Sequence, residues 1–114
     1  MRDPVTRLGD ILEAIENIER YSNLTEDQFR KDNLTQAWIV RQIQNIGEAV
    51  RYLPQEWLAE HPAVPWNDIV GMRDRIVHGY FALRLDVVWD TATKNLPHLK
   101  QAVSQLLEFH KTSI

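Results

Sequence analysis

Four residues with chemistry of their own fall close together in the stretch "GMRDRIVHGY": Arg73, Asp74, His78 and Tyr80. A helix advances by about 100° per residue, so Asp74 and His78 share a face, about 40° apart, whereas Arg73 and His78 diverge by about 140°. Arg73 and Tyr80, seven residues apart, share a face if the helix runs that far. One regular helix therefore does not aim the arginine and the histidine at one small target. Two arrangements reconcile them. A helix that ends at Gly79 leaves His78 at its edge, free to re-aim. Alternatively, two copies of the helix meet across a two-fold axis, each lending residues to a shared cleft.

These residue types suit RNA cleavage without a metal. That reaction needs one group to take the proton of a 2′-hydroxyl and another to return a proton to the leaving oxygen. It also needs a cation for the extra negative charge on phosphorus. Histidine titrates near neutrality and shuttles protons. Arginine stays charged and forks onto phosphate oxygens. Asp74 is placed to fix the His78 tautomer or stabilise its charged form, and Tyr80 to bond a phosphate or stack on a base. A plainer reading stands beside this one: Arg73 and Asp74 as surface charges, His78 as a cation at a helix C-terminus, and Tyr80 as a core aromatic.

Composition narrows the setting. The chain has 114 residues, 44% hydrophobic and 25% charged, with a net charge of −3. This is the profile of a single globular domain spanning 1–114. An acidic chain does not hold nucleic acid by bulk charge, so RNA binding requires a local patch. With no cysteine, thiolate nucleophiles, disulfides and cysteine-ligated metals are excluded. His61, His98 and His110 lack the spacing of a helical metal pair, and no metal site is expected. No glycine-rich phosphate loop is present, and no cofactor is expected. No apolar run approaches the ~18 residues of a membrane span, and the chain reads as cytoplasmic.

The elements that must position the motif are helices. Asp3 and Pro4 open a helix with Val5, Leu8, Ile11, Leu12, Ile15 and Ile18 at three- and four-residue steps. Glu13, Glu16 and Glu19 lie off that stripe, as a solvated face. Thr25 with Gln28 reads as a capping box before a short helix around Phe29. A second long helix starts near Asn33, carries Leu34, Ala37, Trp38, Ile43, Ile46, Ala49, Val50 and Leu53 inward, and ends near Pro54. The third begins at "PWNDIV" and runs to about His78 or Tyr80. Asp86 is expected to cap a last helix, kinked or restarted at Pro97. No alternating strand is evident, so the fold class is all-α, a small helical bundle with antiparallel neighbours.

The motif and its surroundings resemble the HepT family of minimal HEPN-domain toxins. That family's signature is an arginine, four residues, a histidine, any residue and a tyrosine. Arg73, His78 and Tyr80 match it, with "DILEAIE", "IGEAV", "IVGMRD" and Trp89 as supporting context. The resemblance implies a HEPN-like bundle, dimerising through the motif-bearing region so that the motif lines an intersubunit cleft. It implies a metal-independent ribonuclease toxin acting on tRNA or mRNA. It also implies a nucleotidyltransferase antitoxin of the MNT type, which transfers AMP from ATP onto the motif tyrosine, here Tyr80. The homodimer would then form part of a larger hetero-oligomer. HEPN-like bundles also serve as non-catalytic modules that dock a nucleotidyltransferase, which is the alternative function.

Arg73, Arg75 and Arg84 form a small basic set near the motif, opposed by Asp74 and Asp86. Arg41 and Arg51 on the second long helix are candidates to line the same RNA-binding groove. Glu48 in "IGEAV" is placed either to hold an arginine of a neighbouring helix or simply to sit exposed. The tryptophans Trp38, Trp57, Trp66 and Trp89 suit a core or an interface better than base stacking.

Overall fold

The computed structural model describes residues 3–21, 23–77 and 85–112, and all side chains among them except those of 75–77 and 112. Its helices are α1 (Pro4–Glu19), α2 (Glu26–Lys31), α3 (Asn33–Arg51), α4 (Gln55–Ala59), α5 (Trp66–Val77), α6 (Leu85–Asp90) and α7 (Leu96–Thr112). A π-helical turn, Thr91–Asn95, joins α6 to α7. No strand occurs among the described residues, so the chain is an all-α bundle.

The first three helices are set by side chains that satisfy their otherwise unpaired N-terminal amides. Asp3 accepts from the Thr6 amide and hydroxyl, both at 3.0 Å, with Pro4 entering the first turn. Thr25 and Gln28 form the reciprocal capping box, at 3.1 and 2.9 Å. Asp32 accepts from the Thr35 amide at 3.1 Å and its hydroxyl at 2.7 Å. Hydrogen bonds from Thr6, backbone first and then hydroxyl, hold the Asp3 carboxyl below its usual 3.8. At Asp32 the Thr35 hydroxyl and then its amide do the same.

This last cap corrects the sequence reading of α3. Leu34 is 84% exposed, and Ala37 and Trp38 also face out, whereas Thr35, Ile39 and Gln42 are buried. Asp32 satisfies the Thr35 hydroxyl and so lets a polar residue open the inward stripe. Following apolar identity alone rotates the first turns by one residue, about 100°. From Ile43 onward, Ile43, Ile46, Ala49, Val50 and Leu53 are buried as expected.

α3 is the central helix. α1 runs antiparallel to it: Arg7 stacks on Tyr52 at 4.6 Å near one end, and Asn17 bonds Gln42 at 3.2 Å toward the other. Leu8, Ile11, Ile15 and Ile18 supply the α1 side of the core, and Phe29 beneath α2 is fully buried. α7 lies against α1, tied at the rim by Lys100–Glu19 at 2.9 Å. α5 packs against α3 on another side.

Two further expectations meet the structure near the C-terminal helices. The disruption around Pro97 is a π turn immediately before it, with the Leu96 amide bonded to the Thr91 carbonyl. A proline ring clashes with the carbonyl four residues back, and the wider turn relieves that crowding. The Thr91 and Thr93 hydroxyls bond the Val87 and Trp89 carbonyls at 2.9 and 2.8 Å, which steadies the turn. Asp86 lies within the first turn of α6, after Leu85. Among the described residues no helix is long and apolar enough to cross a membrane.

Candidate active site

α5 carries the candidate site, and its start is fixed by local geometry. The Trp66 indole donates to both the Leu58 and His61 carbonyls, at 3.1 and 3.0 Å, which folds the α4–α5 connection onto the buried ring. The Pro65 carbonyl accepts from the Ile69 amide to open the helix. α5 is helical through Val77. His78, Gly79, Tyr80 and Arg84 lie outside the described residues, as does the side chain of Arg75.

The described part of the motif is Arg73 and Asp74, and α3 holds both. A Cβ on Gly47 would collide with the Arg73 Cβ and lie 3.0 Å from the Arg73 Cγ and the Ile69 carbonyl oxygen. Glycine at 47 is therefore what allows α3 and α5 to approach at the level of the motif arginine. The next residue, Glu48, pairs with Arg73, its Oε2 2.5 Å from Nη2. Arg73 Nη1 reaches Asp74 Oδ1 at 3.1 Å, and Arg51 Nη1 reaches the same oxygen at 3.3 Å. The result is an alternating chain, Glu48–Arg73–Asp74–Arg51, in which two cations face two anions.

Arg73 is only 20% exposed, against 38% for Glu48 and 40% for Asp74. The Arg73 Nε is buried without a hydrogen-bond partner, and the short Glu48 contact is an ion pair whose angles are poor for a hydrogen bond. The guanidinium is thus fixed in place by charge and packing. Buried polar groups left unpaired are uncommon.

Of the candidate residues, Arg73, Asp74 and Arg51 come together. Arg41 is exposed on α3 two turns before Glu48 and takes no part in this chain of pairs. Glu48 holds the neighbouring arginine, one of the two roles its sequence context left open. Gly47 went unnoticed, because nothing in the local sequence reveals which helix approaches it. The tryptophans have structural partners: Trp66 is in the core, Trp89 packs 5.4 Å from Phe29, Trp57 stacks on His110 at 3.8 Å, and the Trp38 indole bonds the Asn17 carbonyl.

A small all-α bundle with this arginine held between helices, followed in sequence by His78 and Tyr80, has the form of a HEPN-type ribonuclease domain. A family model described as "Ribonuclease HepT-like" matches residues 11–106. A protein named "Putative RNase" from Caldanaerobacter subterraneus subsp. tengcongensis is 38% identical over 112 residues, covering 97% of this chain and 100% of its own. "Probable ribonuclease HepT" from Thermococcus cleftensis is 36% identical over 100 residues, covering 87% of this chain and 91% of its own. A third relative, named "Putative RNase", from Methanocaldococcus jannaschii, is 33% identical over 102 residues, covering 89% and 84%. No solved structure matches at a significant level. The chain belongs to the HepT-like ribonuclease family.

Proposed function

We propose that the protein is the toxin of a HEPN/MNT toxin–antitoxin pair, a metal-independent endoribonuclease acting on tRNA or mRNA. The observation that carries this reading is the anchored Arg73, the first residue of the motif. A 2′-oxygen attacks phosphorus and the bond to the 5′-oxygen breaks, leaving a cyclic phosphate and a free 5′-hydroxyl. His78 serves as general base or acid, and Arg73 stabilises the charge that builds on the phosphoryl oxygens. Because Arg73 and His78 diverge on one helix, the working cleft is that of a homodimer, with Asp74 orienting the histidine.

Neutralisation belongs to Tyr80. Its hydroxyl attacks the α-phosphorus of ATP on a nucleotidyltransferase partner, the tyrosine–AMP bond forms and pyrophosphate leaves. The adenylate then fills the cleft with bulk and negative charge and repels RNA. Intact-mass measurement after co-expression with the partner should show AMP additions, lost in Tyr80→Phe.

The decisive experiment uses purified protein and RNA in EDTA. Cleavage with cyclic phosphate ends, abolished in His78→Ala, is the expected result. Persistent cleavage by that variant would sink the assignment. One observation favours a second reading, a non-catalytic module that docks the nucleotidyltransferase: the charges of Arg73 and Arg51 are matched by Glu48 and Asp74 within a single chain. That reading expects stable complex formation and no growth arrest when the chain is expressed alone.

A further inference from the structure

One carboxylate oxygen of α5 is shared by two arginines. Neighbouring residues on a helix point about 100° apart, so Arg73 meets Asp74 through the length of its side chain and not through a shared face. Arg51, the last residue of α3, comes to the same oxygen from the other helix. Asp74 Oδ1 thus accepts from Arg73 Nη1 at 3.1 Å and from Arg51 Nη1 at 3.3 Å. Guanidinium groups from two helices that converge on one anionic oxygen also suit a phosphate.

The two carboxylates in the chain of pairs are not equivalent. Glu48 Oε2, the atom that meets Arg73, is itself buried, beside the glycine where α3 and α5 approach. Asp74 is 40% exposed and Arg51 48%, and ion pairs as open as this are weak. Among the described residues, Asp74 is the one acceptor that Arg51 meets. With Asp74 in place, the charges of the four residues cancel. Without it, Glu48, Arg73 and Arg51 together carry one positive charge, which matches the single negative charge of a phosphodiester.

We propose that Asp74 occupies, in the resting protein, the place that the scissile phosphate takes between Arg73 and Arg51, and that RNA binding exchanges one anion for the other. The proposal rests on the ribonuclease reading and gives Arg51 the part of a second phosphate ligand. A non-bridging phosphate oxygen replaces Oδ1 between the two guanidinium groups. Glu48 stays, and keeps Arg73 in position. The Asp74 side chain turns away, which frees it for its role beside the histidine. No covalent bond changes in the exchange.

Two measurements test this. The first is equilibrium binding of a 2′-O-methyl oligonucleotide, which presents RNA phosphates but lacks the attacking hydroxyl. Asp74→Asn keeps the side-chain shape and removes the competing charge, so it should bind that strand roughly fivefold more tightly than wild type. Asp68→Asn removes the same charge from an exposed position on the same helix and should leave the affinity nearly unchanged. Arg51→Gln should weaken binding and lower the slope of log affinity against log salt by about one. Added to Arg51→Gln, Asp74→Asn should gain less than it does alone, because both side chains act on one phosphate. Equal tightening in Asp68→Asn and Asp74→Asn, or an unchanged salt slope in Arg51→Gln, would overturn the proposal.

The second measurement needs no variant. In carbon-detected NMR of the wild-type protein, the Asp74 carboxylate signal should move as the oligonucleotide is added, and the Glu48 signal should move less. An Asp74 signal that stays in place at saturation would also overturn the exchange. Tighter binding by Asp74→Asn in a protein that cuts no RNA would uphold the exchange and defeat the ribonuclease reading. Cleavage by wild type, with no tightening in Asp74→Asn, would do the reverse.

Discussion

α1 and α5 dock on the same central helix by different means. α1 brings Leu8, Ile11, Ile15 and Ile18 to the common apolar core, with polar contacts along one edge. α5 adds Trp66 and Met72 to the same core, but its approach also depends on a residue with no side chain, Gly47, which leaves room for Arg73, and on charges. Both contacts contribute to the stability of the fold. At the second, a few atoms also set the position of Arg73. Removing volume from the first should cost stability; adding volume to the second should cost geometry.

The largest expected effect follows from the apolar contact. Ile15→Ala deletes methylenes from a site that is 1% exposed, and such deletions cost about 2–5 kcal/mol. Denaturant unfolding should report that loss. The RNA cleavage rate of the fraction still folded should stay close to wild type, because Ile15 belongs to the apolar core and takes no part in the chain of pairs around Arg73.

Gly47→Ala comes next and reverses the pattern. A helix gains about 1 kcal/mol when an interior glycine becomes alanine. Here the methyl would overlap Arg73 Cβ and crowd the Ile69 carbonyl, both parts of a helix that must move as a unit. Overpacking of this kind costs about 1–3 kcal/mol, so the net destabilisation is small or moderate. The displacement of Arg73 should nonetheless lower kcat by at least tenfold, since misplacement of about 1 Å can cost two orders of magnitude. Wild-type kcat in Gly47→Ala would show that this approach does not position the arginine.

Glu48→Gln sharpens the same point without steric change. Partly exposed ion pairs contribute about 1 kcal/mol or less, and Gln keeps the volume of Glu48, so the midpoint of unfolding should fall only slightly. The freed guanidinium should turn over RNA more slowly, chiefly in kcat, and Glu48→Asp should recover part of the rate. Equal losses in Gln and Asp variants would point to packing instead of charge.

The sequence disclosed these two contacts unequally. Caps and prolines announced α1, α2 and the start of α5, because their signals are local: Asp3 before Pro4, Thr25 before Gln28, and Pro65 before Trp66. Pro97 likewise signalled a disturbance, whose form is the π turn at Thr91–Asn95. The apolar periodicity of α1 identified its buried face. It failed at the start of α3, where Thr35 turns inward because Asp32 satisfies its hydroxyl, and Leu34 turns out. At the candidate site, residue types pointed to Arg73 and Asp74. Their partners Arg51 and Glu48 lie more than twenty residues earlier; both stood out as candidates, but only the fold shows that Glu48 pairs with Arg73 and Arg51 with Asp74. Gly47 is the extreme case, since an interior helical glycine states that something comes close without saying what.

The smallest expected effect concerns acid, and it separates the contacts by their caps. The carboxyls of Asp3 and Asp32 are held low by the Thr6 and Thr35 hydrogen bonds that open α1 and α3. A depressed folded-state pKa means that the unfolded chain binds the proton more readily. The stabilisation is therefore complete above the usual value of 3.8 and disappears as pH falls through the lower folded-state values. Asparagine caps a helix about as well as aspartate but carries no titrating proton. Asp3→Asn with Asp32→Asn should thus flatten part of the acid limb of a stability–pH curve below about pH 4, with little change near neutrality. α5 opens without a carboxylate cap, at Pro65, so its helical signals should respond less to this substitution. If the acid limb of the double variant superimposed on that of the wild type, the caps would not be the groups through which acid loosens α1 from α3.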